Sequence, residues 1–350
     1  MVAQVSRLTP AAEVVRLEDE AVGLDGVIVI HSTRLGPGAG GCRFWHYPDI
    51  AAATTDAFRL AEGMSYKNAM AGLPFGGAKA VLRRPAGDFD REALFRAFGR
   101  AVAGLGGAYV TAEDVGTTVA DMHHVAEETR HVAGLASDGQ RAGGDPSPWT
   151  AQGVFNAMEA GARHAFGSSL KGMTVAVQGT GNVGAELCRR LADAGAELVI
   201  ADVDPGRRDR LEKILGARVV EPDAIASVEA DIFAPCALGG ALTPASVAAM
   251  KAKLVCGGAN NQLASPEVAD LLLRRGIAYV PDYVANAGGI VSVTAEYLGE
   301  NRAHVVARVA QIGPRVAALL EEAASCRLSP ALVADRMAER IITGVDRAAA

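Results

Sequence analysis

Aromatic residues are scarce: they make up 5% of the 350 residues, and only Trp45 and Trp149 are tryptophan. The two tryptophans are read as packing or interface residues, not as stacking platforms. Cysteine is sparse as well. The five present (Cys42, Cys188, Cys236, Cys256 and Cys326) form no CxxC pair and no ligand-like spacing. That excludes a disulfide framework and points to free thiols in a reducing compartment. Positive charge is in deficit, with 34 Lys and Arg against 40 Asp and Glu, a net charge of −6 and a pI near 5.7. Such a balance argues against a nucleic-acid or anionic-membrane partner. The arginine pairs at Arg83-Arg84, Arg189-Arg190 and Arg207-Arg208 lie among acids or at expected element ends, as solvated surface does. No HExxH is present, and His123, His124, Glu127 and Glu128 share one expected helix without a third ligand, so they are read as a polar face and not a metal site. The first 25 residues carry Arg7, Glu13, Arg16, Glu18, Asp19 and Glu20 and no signal-peptide core, and no apolar run approaches the ~20 residues of a membrane span. A soluble, cytoplasmic protein is expected.

Half of the residues are hydrophobic and 40 are glycine, which reads as a glycine-rich α/β protein long enough for two domains. Helical spacing is expected at Pro10–Glu20, Ile50–Gly63, Asp90–Leu105 (after an Asp suited to capping) and Thr117–Glu128, with a strand at Val27–His31. The segment Ser137–Pro148, SDGQRAGGDPSP, is dense in turn residues and marks a boundary. A helix follows from about Thr150 to Phe166. Strand candidates then alternate with helical runs: Met173–Gln178, Glu197–Ala201, Asp231–Ala234, Leu254–Gly257 and Ala278–Val280. That alternation predicts βαβ units and a parallel sheet. From Glu296 onward the chain is helical and is expected to pack back on the first domain. The expected division is residues 1–145, with a C-terminal helix at about 325–350, as the first domain, and 146–324 as the second.

GTGNVG, residues 179–184, fits G-x-G-x-x-G through Gly179, Gly181 and Gly184. The pattern alone is weak, but an apolar strand precedes it and a helix opening near Asn182 and Val183 follows. A second strand ends at Asp202, 21 residues beyond Gly181. Gly179 suits the tight turn, Gly181 admits a pyrophosphate, and Gly184 lets helix pack on strand. Asp202 would accept from ribose hydroxyls and repel a 2′-phosphate, favouring NAD over NADP, while Arg207 and Arg208 just downstream are placed to reach such a phosphate.

The chemistry-bearing stretch is GMSYKNAMAGLPFGGAKAV, residues 63–81, which sets Lys67 and Lys79 among Gly, Ala, Met, Leu and Phe. Lysines of that kind lose their proton more readily than solvated ones. Lowering an amine from about 10.4 to about 7–8, the range of a general base, corresponds to about 4 kcal/mol. Gly76 and Gly77 are expected to let backbone and substrate approach Lys79. TAEDVGTT places Asp114 in a loop before Gly116, and GGANNQL places Asn260 and Asn261 at the carboxyl edge of the second sheet, where ligands of such folds bind. Cys236, in APCALGG, is read as a small buried thiol and not a nucleophile.

Taken in order, LGPGAGG (residues 35–41), the lysine segment, TAEDVGTTVADM, DPSPWTAQGV, GTGNVG, DIFAPCALGG, GGANNQL and PDYVANAGG resemble the glutamate/leucine/phenylalanine/valine dehydrogenase family, nearest the leucine dehydrogenase branch, over nearly the whole chain. The resemblance implies an α/β catalytic domain and a Rossmann-type NAD domain separated by a cleft, and a homo-oligomer. It implies NAD-dependent oxidative deamination of an L-amino acid to a 2-oxo acid and ammonia, with a small-molecule substrate and no nucleic-acid or membrane partner. Lys67 would pair with the substrate carboxylate beside the Gly40-Gly41 loop. Lys79 would be the general base, Asp114 the proton carrier, and Thr150 and Asn261 would seat the nicotinamide. Two departures stand out. GGAK replaces the family's frequent GGGK through Ala78, which should leave Lys79 in place. Ala39 stands where leucine dehydrogenases usually carry Leu, and a wider pocket favours bulkier or aromatic side chains. Ile290 and Val293 would complete an apolar wall without charge, against glutamate as substrate. The alternatives are an aromatic amino-acid dehydrogenase, a non-catalytic NAD-binding regulator, and a hydroxy-acid dehydrogenase. Intact Lys67, Lys79 and Asp114 count against the regulator, and the absence of a motif histidine counts against the hydroxy-acid enzyme.

Overall fold

The structure, a computed structural model, describes residues 12–135 and 144–344. Residues 137–143 of the expected boundary segment lie outside the described residues, as do residues 10 and 11 and the last six of the chain. The chain divides into two compact units: one runs up to Gly144 and regains Val293–Arg302 and the chain from Met337, while the other holds Asp145–Ser292 and Ala303–Arg336.

The first unit comprises β1 (Glu13–Asp19), β2 (Leu24–Ser32), β3 (Gly38–Ala39), β4 (Cys42–Trp45), α1 (Ile50–Ala71), β5 (Gly76–Arg83), α2 (Arg91–Gly104), β6 (Tyr109–Val110) and α3 (Val119–Ala126). Its sheet has the order β1-β2-β5-β3-β6, with β4 also on β5. The helix expected at Pro10–Glu20 is instead the strand β1, antiparallel to β2. Its buried or half-buried residues Val15, Leu17 and Asp19 alternate with exposed Val14, Arg16 and Glu18, a period of two that the charged composition obscures. Asp90 caps α2 as expected, accepting from Ala93 N–H at 3.0 Å.

The lysine segment folds differently from a loop. Helix α1 continues through Gly63, which is exposed, to Ala71, where Gly72 ends it in the left-handed conformation at φ 67°. Strand β5 then runs through the middle of the sheet, antiparallel to β2 and parallel to β3 and β4. Glycine and alanine are poor strand formers, yet β5 is buried from Gly76 to Leu82. Packing explains the choice. One sheet face carries Ile28, Ile30, Phe44, Leu82 and Tyr109 in a core shared with Phe95 of α2, and each such buried side chain contributes about 1.5–3 kcal/mol. On the other face Val27, Val29 and Val81 meet Ala53, Ala57 and Ala61 of α1, whose small side chains let the helix lie close.

The second unit holds α4 (Ser147–Phe166), β7 (Thr174–Gln178), α5 (Asn182–Asp193), β8 (Glu197–Ala201), α6 (Pro205–Leu215), β9 (Arg218–Val219), β10 (Ile232–Pro235), α7 (Pro244–Ala249), β11 (Leu254–Val255), α8 (Glu267–Arg274), β12 (Ala278–Tyr279) and α9 (Asp282–Ala285). Helices α10 (Gly288–Tyr297), α11 (Arg302–Ala310), α12 (Ile312–Cys326) and α13 (Pro330–Thr343) complete the chain. The sheet is parallel in the order β12-β11-β10-β7-β8-β9. Five of its strands coincide with sequence expectations. The sixth, β9, spans two residues at the edge, too few for a periodic signal. Strand order reverses between β7 and β10, so the switch point lies where GTGNVG leaves the sheet.

A Cβ at Gly77 would stand 2.1 Å from the backbone nitrogen of Ser65 in α1. Gly77→Ala is therefore expected to lower stability by about 1–3 kcal/mol, read as a lower urea midpoint. An unchanged midpoint would mean that α1 can move off β5 freely.

Candidate functional site

Lys79 is 6% exposed. It shares its β5 face with Gly77 and Val81, the face that α1 covers. Its ammonium contacts the Asp114 carboxylate. The expectation for this lysine rested on apolar neighbours alone; the structure adds a half-buried counter-ion. Burial pushes the Asp114 carboxyl up. The Lys79 ammonium, by charge and hydrogen bond, the Val115 backbone N–H and the Arg43 guanidinium outweigh it and hold Asp114 below the usual carboxylate range. Glu113 beside it goes the other way, raised by burial and by the Asp121 and Asp114 charges.

Local turns fix Asp114. The two threonines expected to open α3 have separate tasks: Thr118 caps the helix in a reciprocal pair with Asp121, while buried Thr117 accepts from Asp114 N–H at 2.8 Å. Gly41 permits close approach here, because a Cβ would sit 2.9 Å from Asp114 Cβ. At Gly40 a Cβ would overlap the Ala78 carbonyl oxygen at 1.8 Å. Gly76 and Gly77 serve the fold too: the atoms that crowd them belong to Ser32 and Ser65, so backbone, as expected, makes the approach. Ala78 is fully buried in β5 and leaves Lys79 in place.

Lys67 lies half-buried in the last turns of α1. Asn68, fully buried beside it, donates to Gly76 O at 2.6 Å and ties that helix to β5. Ala39, 7% exposed, pairs in register with Gly77 and Val110. The Tyr109 hydroxyl donates to Gly40 O at 2.8 Å and braces the following loop from within the core. Ile290 and Val293 are half-buried one turn apart on α10.

In the second unit Gly179 takes φ 92°, the left-handed turn that glycine favours. Gly184 packs on the Gly179 carbonyl, where a Cβ would lie 2.0 Å away. Gly181 is the N-cap of α5 with no side-chain cap, so the first N–H groups of Asn182, Val183 and Gly184 are left for an anion. The nearest group to a Cβ on Gly181 is Arg207 Nη1, 3.8 Å away. Thr180, Gly181, Asn182, Arg189, Arg207 and Arg210 line a cavity of about 340 Å³. A larger cavity, about 770 Å³ between α4 and α12, contains none of the motif residues, and the chemistry favours the smaller. These residues fit a dinucleotide phosphate.

Asp202 is 8% exposed. Its Oδ2 accepts from Thr180 N–H at 2.6 Å and the Thr180 hydroxyl at 3.0 Å, and its Oδ1 from Asp204 N–H at 2.9 Å. Burial raises this carboxyl, but these donors and Arg207 bring it below the usual range. Asp202 therefore braces the GTG turn. Cys236 follows β10 against Gly184, and burial pushes its thiol up to about 11, as suits an inert filler.

Asn261 is exposed and left-handed at φ 51°, whereas Asn260 accepts from Asn286 Nδ2 at 2.7 Å. Fully buried Gln262 shapes that loop by donating to Gly257 O and Ala259 O at 2.9 and 3.0 Å. Thr150 sits in the first turn of α4, and Gly289 leaves room for its hydroxyl, 2.6 Å from where a Cβ would be. The sequence reading missed Arg43, Asn68, Tyr109, Thr180 and Gln262. Arg43 and Tyr109 act through tertiary contact alone, whereas Asn68, Thr180 and Gln262 lie inside motifs already singled out.

The family profile described as Glu/Leu/Phe/Val dehydrogenase, dimerisation domain, matches residues 8–131, and that of glutamate/leucine/phenylalanine/valine dehydrogenase matches 145–206 and 200–324. The chain is 45% identical to a leucine dehydrogenase of Geobacillus stearothermophilus over 96% of this chain and 92% of the relative. It is 46% identical to a valine dehydrogenase of Streptomyces albus over 94% and 91%. Among solved structures, an L-tryptophan dehydrogenase from Nostoc punctiforme superposes with a TM-score of 0.86 at 37% identity, covering 96% of each chain.

Replacing Asp202 by Ala is expected to weaken NAD binding about tenfold or more, since charged hydrogen bonds contribute about 1.5–3 kcal/mol, and to lower the NAD/NADP preference. Titration with both cofactors checks this, and an unchanged ratio would shift the selection to Arg207 and Arg208.

Proposed function

Since this chain belongs to the glutamate/leucine/phenylalanine/valine dehydrogenase family, we propose that it is an NAD-dependent dehydrogenase of apolar L-amino acids, of the leucine and branched-chain type. The observation that carries the proposal is the contact of buried Lys79 with half-buried Asp114 in the first unit. In balance, amino acid, NAD⁺ and water give 2-oxo acid, ammonium, NADH and a proton, and the reverse reaction is equally available. NAD, when bound, supplies the acceptor for the hydride that leaves the substrate Cα.

The chain's own groups manage the protons and the charge. Lys67 pairs with the substrate carboxylate near the Gly40-Gly41 loop. The substrate ammonium has to lose a proton before its Cα–H bond can be oxidised, and Asp114, held ionised, accepts it. Water then attacks the imino carbon while Lys79 takes its proton, and the resulting carbinolamine expels ammonia as that proton returns to nitrogen. Asn261, Thr150 and the N-terminus of α5 seat the cofactor, with Asp202 selecting NAD. Ala39, Ile290 and Val293 bound the side-chain pocket.

A second reading, an aromatic amino-acid dehydrogenase, is favoured by two observations: small Ala39, and the likeness to a solved structure whose name specifies L-tryptophan. The branched-chain reading stands first because the leucine and valine dehydrogenases match at higher identity. We further propose residues 1–145, with the C-terminal helix at about 325–350, as the substrate and oligomerisation domain of a homo-oligomer, supported by the dimerisation-domain match. A cytoplasmic location is supported by five cysteines that are all free. No helix among the described residues is long and apolar enough to cross a membrane.

NADH formation measured at mildly alkaline pH with Leu, Val, Ile, Phe, Trp and Glu is expected to be fastest with a branched-chain substrate and absent with Glu. A Phe or Trp optimum selects the second reading, and silence across the panel rejects both. Lys79→Ala is expected to lower kcat by about 10²-fold or more with NADH affinity intact; unchanged turnover removes Lys79 as the base.

A further inference from the structure

Asp114 stands between two cations, and only one of them is in contact with it. Lys79 touches its Oδ2. Arg43 Nε lies 3.7 Å from that same oxygen, beyond hydrogen-bonding range. This Nε is buried and has no hydrogen-bond partner among the described residues. Leaving a buried N–H without an acceptor costs about 1–3 kcal/mol, yet a carboxylate lies about one ångström short of satisfying it. The rest of the guanidinium is anchored. Its Nη1 donates to Asp56 Oδ2 at 2.8 Å, an oxygen that also accepts from the Tyr47 hydroxyl at 2.6 Å. Arg59 holds the other Asp56 oxygen at 2.7 Å. Arg43 on β4 is therefore pinned to α1 at one end, with a free donor at the other, aimed at the carboxylate of the proposed proton carrier.

We propose that Arg43 is a positioning residue that gives the Asp114 carboxylate a second resting place, so that Asp114 can leave Lys79 during turnover. The inference rests on the reading of Lys79 as base and Asp114 as proton carrier. An amine in contact with a carboxylate favours its charged form, and a protonated amine cannot take a proton from water. Rotation of Asp114 onto Arg43 Nε breaks the direct contact with Lys79 and weakens the carboxylate's hold on the ammonium proton. The Lys79 proton passes to solvent, and the neutral amine accepts the proton of the attacking water. The groups facing Asp114 are Lys79 from β5, Arg43 and Cys42 from β4, Tyr109 from β6 and Glu113 alongside. Burial keeps Cys42 and Tyr109 neutral by raising both well above their ordinary values. Arg43 is thus the remaining cation among these groups.

The test compares Arg43→Gln, Arg43→Lys and Asp56→Asn with the parent enzyme, following kcat, KM for the amino acid, NADH affinity and the pH dependence of kcat. Arg43→Gln is expected to lower kcat about 10- to 100-fold with KM and NADH affinity within about threefold. Its acid limb should move to higher pH, because Asp114 without that cation takes up a proton more readily. Arg43→Lys, which keeps the charge but lacks the anchored Nε–H, should restore the acid limb while kcat stays low. Asp56→Asn, which loosens the anchor without touching Asp114, should shift both in the same direction by less. A folded Arg43→Gln with parental kcat and acid limb overturns the proposal. So does a variant whose kcat and melting temperature fall while the acid limb stays put, the signature of a mere tie between β4 and α1. Should Arg43→Gln fail to fold, Asp56→Asn decides by the same readouts. Normal turnover by Lys79→Ala would remove the underlying reading as well, whereas an inactive Lys79→Ala beside an unaffected Arg43→Gln removes only the second resting place.

Discussion

A charged amine at the centre of a sheet, almost sealed from water, is the constraint around which the first unit is organised. Lysine in such a position requires a partner, because an isolated buried charge is far too unfavourable to persist. Asp114 supplies it, and delivering a carboxylate there shapes three other segments. The loop after β6 must pass close to Gly41, Thr117 must close the Asp114 turn, and Gly116 must turn where a Cβ would lie 1.8 Å from the Phe44 carbonyl oxygen. The glycine richness of the motifs follows. In LGPGAGG and GGAKAV, backbone packs directly on backbone, and the sheet brings the lysine to the carboxylate without side chains in between.

The second unit solves a complementary problem, preparing positive potential from backbone N–H groups beside the arginines that line the cavity. A helix opening on Gly181 offers unoccupied N–H groups, and the glycines around it remove the bulk that would fill the space. Asp202 has two parts in this arrangement. Its contacts to Thr180 and Asp204 make it a structural brace for the turn, so the residue proposed to select the cofactor also sets the shape of the phosphate loop. Affinity and selectivity are then coupled at one carboxylate.

Much of this was legible in the sequence, and the boundary between legible and hidden has a physical origin. Local signals were dependable where structure is decided locally: Asp90 as a cap, the alternation of strands and helices after Lys171, and GTGNVG after a strand. They misled at β1, where a charged stretch takes strand form because β2 pairs with it along its whole length. They also missed β5 as a strand, since Gly76-Gly77-Ala78 has no intrinsic preference for that form and is held in it by three neighbouring strands. Motif residues were found readily, but the groups that hold them were not. Asn68, Tyr109 and Arg43 act through atoms distant in sequence, and nothing in a linear pattern distinguishes such an arginine from a solvated one.

Neighbouring positions 39 and 40 show how one scaffold admits several substrates. Gly40 is locked by the fold, since any side chain there would run into the Ala78 carbonyl. Ala39, one residue earlier at the end of β3, already bears a side chain beside Gly77 and Val110. The backbone contacts that hold Lys79 and Asp114 are therefore not free to vary, whereas the positions proposed to bound the side-chain pocket already carry side chains that can be exchanged. A difference of one methylene is worth about 1–3 kcal/mol in an apolar pocket, enough to reorder preference among apolar amino acids but not to change the reaction. Relatives named for leucine, valine and tryptophan, matched along nearly the full chain, are what such a division between a locked chemical frame and an adjustable wall leads one to expect.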